Sequence, residues 1–155
     1  MVAKICLISG LVLISIFSAE ARLGENKTQL EERFGAPAEI QQQAELGFVQ
    51  HLYENFDLLI GVTLIDGKSA AEQYTRTTGK KNSEGKPILT AIPMEIAQAI
   101  LNANAEGGTW KQIGIEDGAR RFVRSDDEAI AVFFEGKGAI SEIRVSYRIK
   151  VAPSE

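Results

Sequence analysis

The sequence predicts an α+β domain in which two short helices pack on one face of an antiparallel sheet, built by an internal α-β-β-β duplication. Three observations carry this. Two apolar stripes at helical spacing, Leu30 with Phe34 and Ile96 with Ile100 and Leu101, each stop soon afterwards at glycine. Each is followed by short runs rich in β-branched and aromatic residues. The order helix then strands occurs twice, in halves 22–78 and 88–149, and the paired helical positions lie 66 residues apart (30 to 96, 34 to 100).

The chain has 155 residues, with Lys plus Arg 17 against Asp plus Glu 21, a net charge of -4. Hydrophobic residues make up 45% and charged residues 25%, the balance of a folded domain. The acidic total and the lack of a basic block argue against a nucleic-acid partner.

Residues 1–21 read as an export segment. Lys4 precedes an apolar run from Ile5 to Phe17, too short to span a bilayer, and Ala19-Glu20-Ala21 has the small-x-small form of a signal-peptidase site. Cleavage there leaves 22–155 as a single α+β domain, periplasmic or secreted, without stable membrane insertion. The one cysteine, Cys6, lies inside the apolar run, so the remaining chain has no thiol for disulfides or for Cys-ligated metal.

The first helix is marked by Asn26 with Gln29, a capping pair, and by Thr28 with Glu31, a competing one. Gly35 and Pro37 end it after about two turns. The run from Glu39 to Glu45 is polar and reads as a connection. Strands follow at 47–53, 58–65 and 68–77, with Asp66-Gly67 suited to a type I′ hairpin. The segment 79–87, GKKNSEGKP, reads as a loop between halves. Pro93 suits the first turn of the second helix, which Gly107 and Gly108 terminate. Further strands are expected at 119–124, 129–135 and 139–149, with the second hairpin at Glu135-Gly136. The last strand alternates cleanly: Ile143, Val145, Tyr147 and Ile149 fall on one face, and Glu142, Arg144, Ser146 and Arg148 on the other.

The stretch Gly24-Glu25-Asn26-Lys27-Thr28-Gln29-Leu30-Glu31-Glu32-Arg33-Phe34-Gly35-Ala36-Pro37 resembles the start of the small-protein-A family of outer-membrane assembly lipoproteins, which has a polar cap, a Gln-aliphatic pair, a large apolar residue, Gly and Pro at like spacing. The duplicated architecture is similar to that of the secreted β-lactamase inhibitor proteins. The resemblance implies a protein-binding module outside the cytoplasm whose sheet is the contact face. This chain lacks the family's lipid-bearing cysteine.

Chemistry-bearing residues are sparse. His51, the sole imidazole, shares a strand face with Val49 and Tyr53; as a general base its sequence neighbours would be Glu54 or Asp57. One histidine without cysteine builds no zinc site, and no other metal site is expected. Asp126-Asp127-Glu128 lacks the ligand spacing of a calcium loop and reads as a hairpin turn. No glycine cluster has Walker or Rossmann spacing, and no serine sits in a nucleophile elbow, so neither a cofactor nor a catalytic residue is assigned. Trp110 reads as the anchor of the loop after the second helix. Arg120, Arg124, Arg144 and Arg148 are the candidate partner-binding residues, a basic strip for an acidic partner if adjacent strands align them. The expectation is therefore a non-enzymatic, exported protein-binding module. The alternatives are a structural protein, or a small extracytoplasmic ligand-binding protein or hydrolase with a sheet-lined pocket.

Overall fold

The computed structural model describes residues 22–148. The export segment and Ile149 lie outside them. The elements run α1 (Lys27–Phe34), β1 (Glu39–Gln43), β2 (Phe48–Asn55), β3 (Leu58–Ile65), β4 (Lys68–Lys81), β5 (Pro87–Thr90), α2 (Met94–Ala103), β6 (Trp110–Glu116), β7 (Ala119–Arg124), β8 (Ala129–Gly136) and β9 (Ala139–Tyr147). All pairings are antiparallel, in the order β1-β2-β3-β4-β9-β8-β7-β6, with β5 attached to β4. This is the predicted α+β layer, with nine strands where six were predicted; β1, β5 and β6 are the additional ones.

The duplication is visible in the hydrogen-bond register. The β3–β4 and β8–β9 ribbons begin 71 residues apart (58 to 129, 68 to 139), and each shifts register at the same relative place, between Thr63 and Leu64 and between Phe134 and Glu135. The halves join where β4 pairs β9, with Gln73 opposite Arg144. These two residues are also 71 apart, so an approximate two-fold axis passes between them.

Local sequence explains the ends. Asn26 accepts from the Gln29 amide at 3.1 Å and its own amide donates to Gln29 Oε1 at 3.0 Å, so this capping box wins over Thr28 with Glu31. Gly35 closes α1 with φ 83, and its amide donates to the Glu31 carbonyl. The Asp66-Gly67 turn has φ of 51 and 73, as a type I′ hairpin requires. The β8–β9 turn falls on Lys137-Gly138, with φ of 54 and 78, two residues beyond the predicted Glu135-Gly136. The expected boundary loop 79–87 is mostly extended: β4 continues to Lys81 and turns over 82–86 into β5.

Both helices cover one face of the sheet, α1 against β2 and α2 against β9. Leu30 and Phe34 from α1 and Ala97, Ile100 and Leu101 from α2 meet Tyr53, Ile60, Val62, Tyr74, Phe133, Ile143 and Val145 in one core. Burial of a side chain such as Leu30 contributes about 2 kcal/mol, which a two-turn helix needs because it is unstable alone. Ahead of α1 the chain is also tied down. The Gly24 amide donates to the Ser69 carbonyl and the Ser69 amide to the Glu25 carbonyl, both at 2.8 Å, while the Leu23 amide donates to Asn104 Oδ1.

Candidate functional site

Among the described residues, no helix packs on the opposite face of the sheet. Residues directly across an antiparallel ladder share a face, so register decides which side chains stand there. Arg121 pairs with Val132, and Val132 with Arg144; Val123 pairs with Ile130, and Ile130 with Ser146. These residues lie on the open face. A depression of about 370 Å³ is floored by Val123, Ile130 and Val132, with Ile113 at one side and Arg121, Arg148 and Asp127 around it. A second, of about 330 Å³, lies across the junction of the halves and is lined by Gln50, Gly61, Thr63, Gln73, Arg144 and Ser146.

The four candidate arginines do not form one strip. Arg144 is exposed on the open face, beside Glu142 and over the Phe134 ring at 4.8 Å, and Arg148 reaches Asp127. Arg120 pairs with Phe133, itself opposite Ile143, so it stands on the helix side, bound to Glu135 at 2.6 Å. Arg124 is only 2% exposed. It donates to the Asn104 carbonyl at 3.0 Å and pairs with Glu106 and Asp126, joining α2 to the β7–β8 turn. The residue that joins Arg144 and Arg148 is Arg121; its signal was its odd parity relative to Arg120 and Arg124, which has meaning only once β8 fixes the register.

The acidic turn is used internally. Asp126 holds Arg124 and Asp127 holds Arg148, and the hydrogen bond from Arg124 keeps the Asp126 carboxyl below its usual range. Trp110 heads β6 rather than a loop; its indole packs against the core and donates to the Leu101 carbonyl at 2.6 Å.

On the helix side, a cavity of about 400 Å³ opens beyond α1, lined by Lys27, Gln42, Val49, His51, Leu64 and Asp66 among others. His51 is buried, and its Nδ1 lies 3.1 Å from the Tyr53 hydroxyl. Neither acid partner considered from sequence reaches it. Asp57 is bound to Arg76 at 2.6 Å, and Glu54 is exposed on the open-face parity of β2. Burial, with Lys27 adding to it, holds the imidazole below its ordinary pKa; Glu31 works the other way.

Between helices and sheet lies a polar cluster that the sequence did not announce. Glu72 is buried, accepts from the Tyr74 hydroxyl and pairs with Arg33 at 3.4 Å; Arg33 also meets Glu25 at 2.5 Å. Burial raises the pKa of Glu72, Glu25 and Tyr74. Among the described residues no group of three or more His, Cys, Asp or Glu is placed to hold a metal ion, and no helix is long and apolar enough to cross a membrane.

No protein-family model and no curated protein matches the chain. Solved structures similar to it include the following two. A cysteine-rich secretory protein from Staphylococcus aureus subsp. aureus Mu50 shares 11% identity at a TM-score of 0.44, over 80% of this chain and 44% of that one. An extracellular protein containing a SCP domain from Bacillus anthracis str. Ames shares 11% identity at a TM-score of 0.45, over 99% of this chain and 57% of that one. The chain thus spans about half the length of the structures it matches. At these values the likeness carries neither a residue correspondence nor an activity.

Proposed function

We propose that the chain is an exported, non-enzymatic protein-binding module of the cell envelope or extracellular space, and that the open face of its sheet at the β6–β9 end is the contact surface. One observation carries this reading: an apolar floor of Val123, Ile130 and Val132, on a face that neither α1 nor α2 covers, is bordered by Arg121, Arg144 and Arg148. Such a surface fits a protein that offers an apolar centre rimmed by carboxylates, because arginine engages carboxylates while its stem covers apolar surface. The export half of the reading rests on Lys4, the apolar run and Ala19-Glu20-Ala21. The resemblance of residues 24–37 to the small-protein-A family agrees with it.

The test is affinity capture from the native envelope fraction, followed by binding assays of the captured protein with wild type and with R144E/R148E. A partner bound at least tenfold more weakly by the double variant, with a reduced salt dependence, supports the reading. A partner whose affinity does not change removes this face from the mechanism. Intact mass of the native protein checks export: retention of residues 1–21, or a fatty-acyl increment, overturns it.

A further inference from the structure

We propose that the cavity beyond α1, on the face opposite the protein-binding surface, is a binding site for a small monocarboxylate with an apolar tail, whose head is taken by His51 Nε2 and Lys27. The argument starts from hydrogen-bond accounting. Tyr53 is fully buried, and its hydroxyl has one partner among the described residues, Nδ1 of His51. If Nδ1 carried the proton, the phenol would be a buried donor with no acceptor, which costs a full desolvation penalty. The phenol therefore donates to Nδ1. Burial pushes the Tyr53 pKa up to about 12, so the hydroxyl keeps that proton across the physiological range.

The consequence falls on the other ring nitrogen. With Nδ1 accepting, a neutral imidazole carries its proton on Nε2, which makes no hydrogen bond to any described residue. His51 lines the cavity, so it presents a fixed donor there, oriented by Tyr53 behind it. A donor selects an acceptor. Lys27, which lines the same cavity from the first turn of α1, makes a negatively charged acceptor the better one, since its ammonium also acts on His51.

Two carboxylates face this arrangement. Glu31 takes part of the Lys27 charge at 3.6 Å, but that pair is exposed and weak, so an incoming carboxylate competes with it. Asp66 lines the cavity from the β3–β4 turn, and its repulsion favours a monoanion over a more highly charged ligand. Phe48, Val49 and Leu64 complete an apolar wall for the tail. The volume is at the lower end of ligand pockets, suited to a short chain. At the related place in the other half, the described residues hold no counterpart of His51. Arg120 stands opposite Phe133 as His51 stands opposite Val62, and it is closed by its ion pair with Glu135.

The probe is octanoate, with octylamine as the charge control, titrated into the mature protein by calorimetry while the His51 imidazole is followed by NMR. Octanoate should bind at least tenfold more tightly than octylamine, shift the His51 ring resonances and raise the His51 pKa, because a bound anion favours the imidazolium. H51F should remove the selectivity, and K27E should weaken octanoate at least fivefold. K27E changes an exposed side chain, so it decides the matter even if H51F does not fold. No His51 shift with octanoate, a preference for octylamine, or unchanged octanoate affinity in K27E would overturn the proposal. None of these outcomes depends on the open face, so the protein-binding reading stands or falls separately.

Discussion

The Tyr74 hydroxyl donates to the carboxylate of Glu72, two residues earlier on β4, where neither side chain is more than 2% exposed. Arg33 pairs with this carboxylate and also with Glu25. Both acids have pKa values raised by burial. An acid with a raised folded pKa contributes stability that is complete below its unfolded value, near 4.5 for Glu72, and is lost as pH rises through the folded value. In E72Q this dependence should disappear. Urea denaturation of both proteins from pH 4 to 8 checks it: the stability of wild type relative to E72Q should fall steadily as pH rises from about 4.5. A difference that grows with pH would show that Arg33 outweighs burial.

Gly24 is held between Ser69 and Tyr147. Its φ is 86, and a Cβ there would lie 2.7 Å from the Tyr147 hydroxyl oxygen. G24A should cost about 1–3 kcal/mol, mostly from backbone strain. Y147F in the same chain removes the contact but leaves the φ, so it should recover only part of the loss. Thermal melts of the four proteins in that double-mutant cycle measure both parts.

Trp110 fixes the start of β6 to the end of α2 through its bond to the Leu101 carbonyl. W110F keeps most of the apolar volume and removes the donor, so it should cost about 1 kcal/mol. As the sole tryptophan it also reports on this junction. Its emission should shift to the red in one cooperative step with denaturant, coincident with the loss of circular dichroism.

Strands that bury side chains were legible in the sequence, and strands that bury none were not. β3 and β7 have the predicted bounds; in β3, Ile60, Val62 and Leu64 alternate with more exposed neighbours. β1 is Glu39–Gln43, exposed throughout, and β6 is nearly so. Their order comes from backbone bonds to β2 and β7, which leave no periodic trace in side-chain type. The Glu25–Arg33–Glu72 cluster was hidden for a different reason. Its members come from the segment before α1, from α1 and from β4, and their union depends on how the helix crosses the sheet. His51 was read with the correct face-mates, Val49 and Tyr53, yet the cavity beside it depends on where α1 ends its cover.

The arginines show what register adds, and they set the last prediction. Arg124 and Arg144 looked equivalent in sequence, each an arginine on an alternating strand. Arg124 is enclosed by the Asn104 carbonyl, Glu106 and Asp126, whereas Arg144 and Arg148 lie in solvent with one acidic neighbour each. Removing a buried cation strands the carbonyl and carboxylates that solvated it, so R124A should lose about 2–4 kcal/mol. Exposed ion pairs contribute little, so R144E/R148E should stay within about 1 kcal/mol of wild type. Denaturant midpoints measured side by side give the comparison. If R124A is as stable as the double variant, Arg124 is not the strut that joins α2 to the β7–β8 turn. If the double variant unfolds, its binding phenotype reports folding rather than contact, and the open face must instead be probed through R121E.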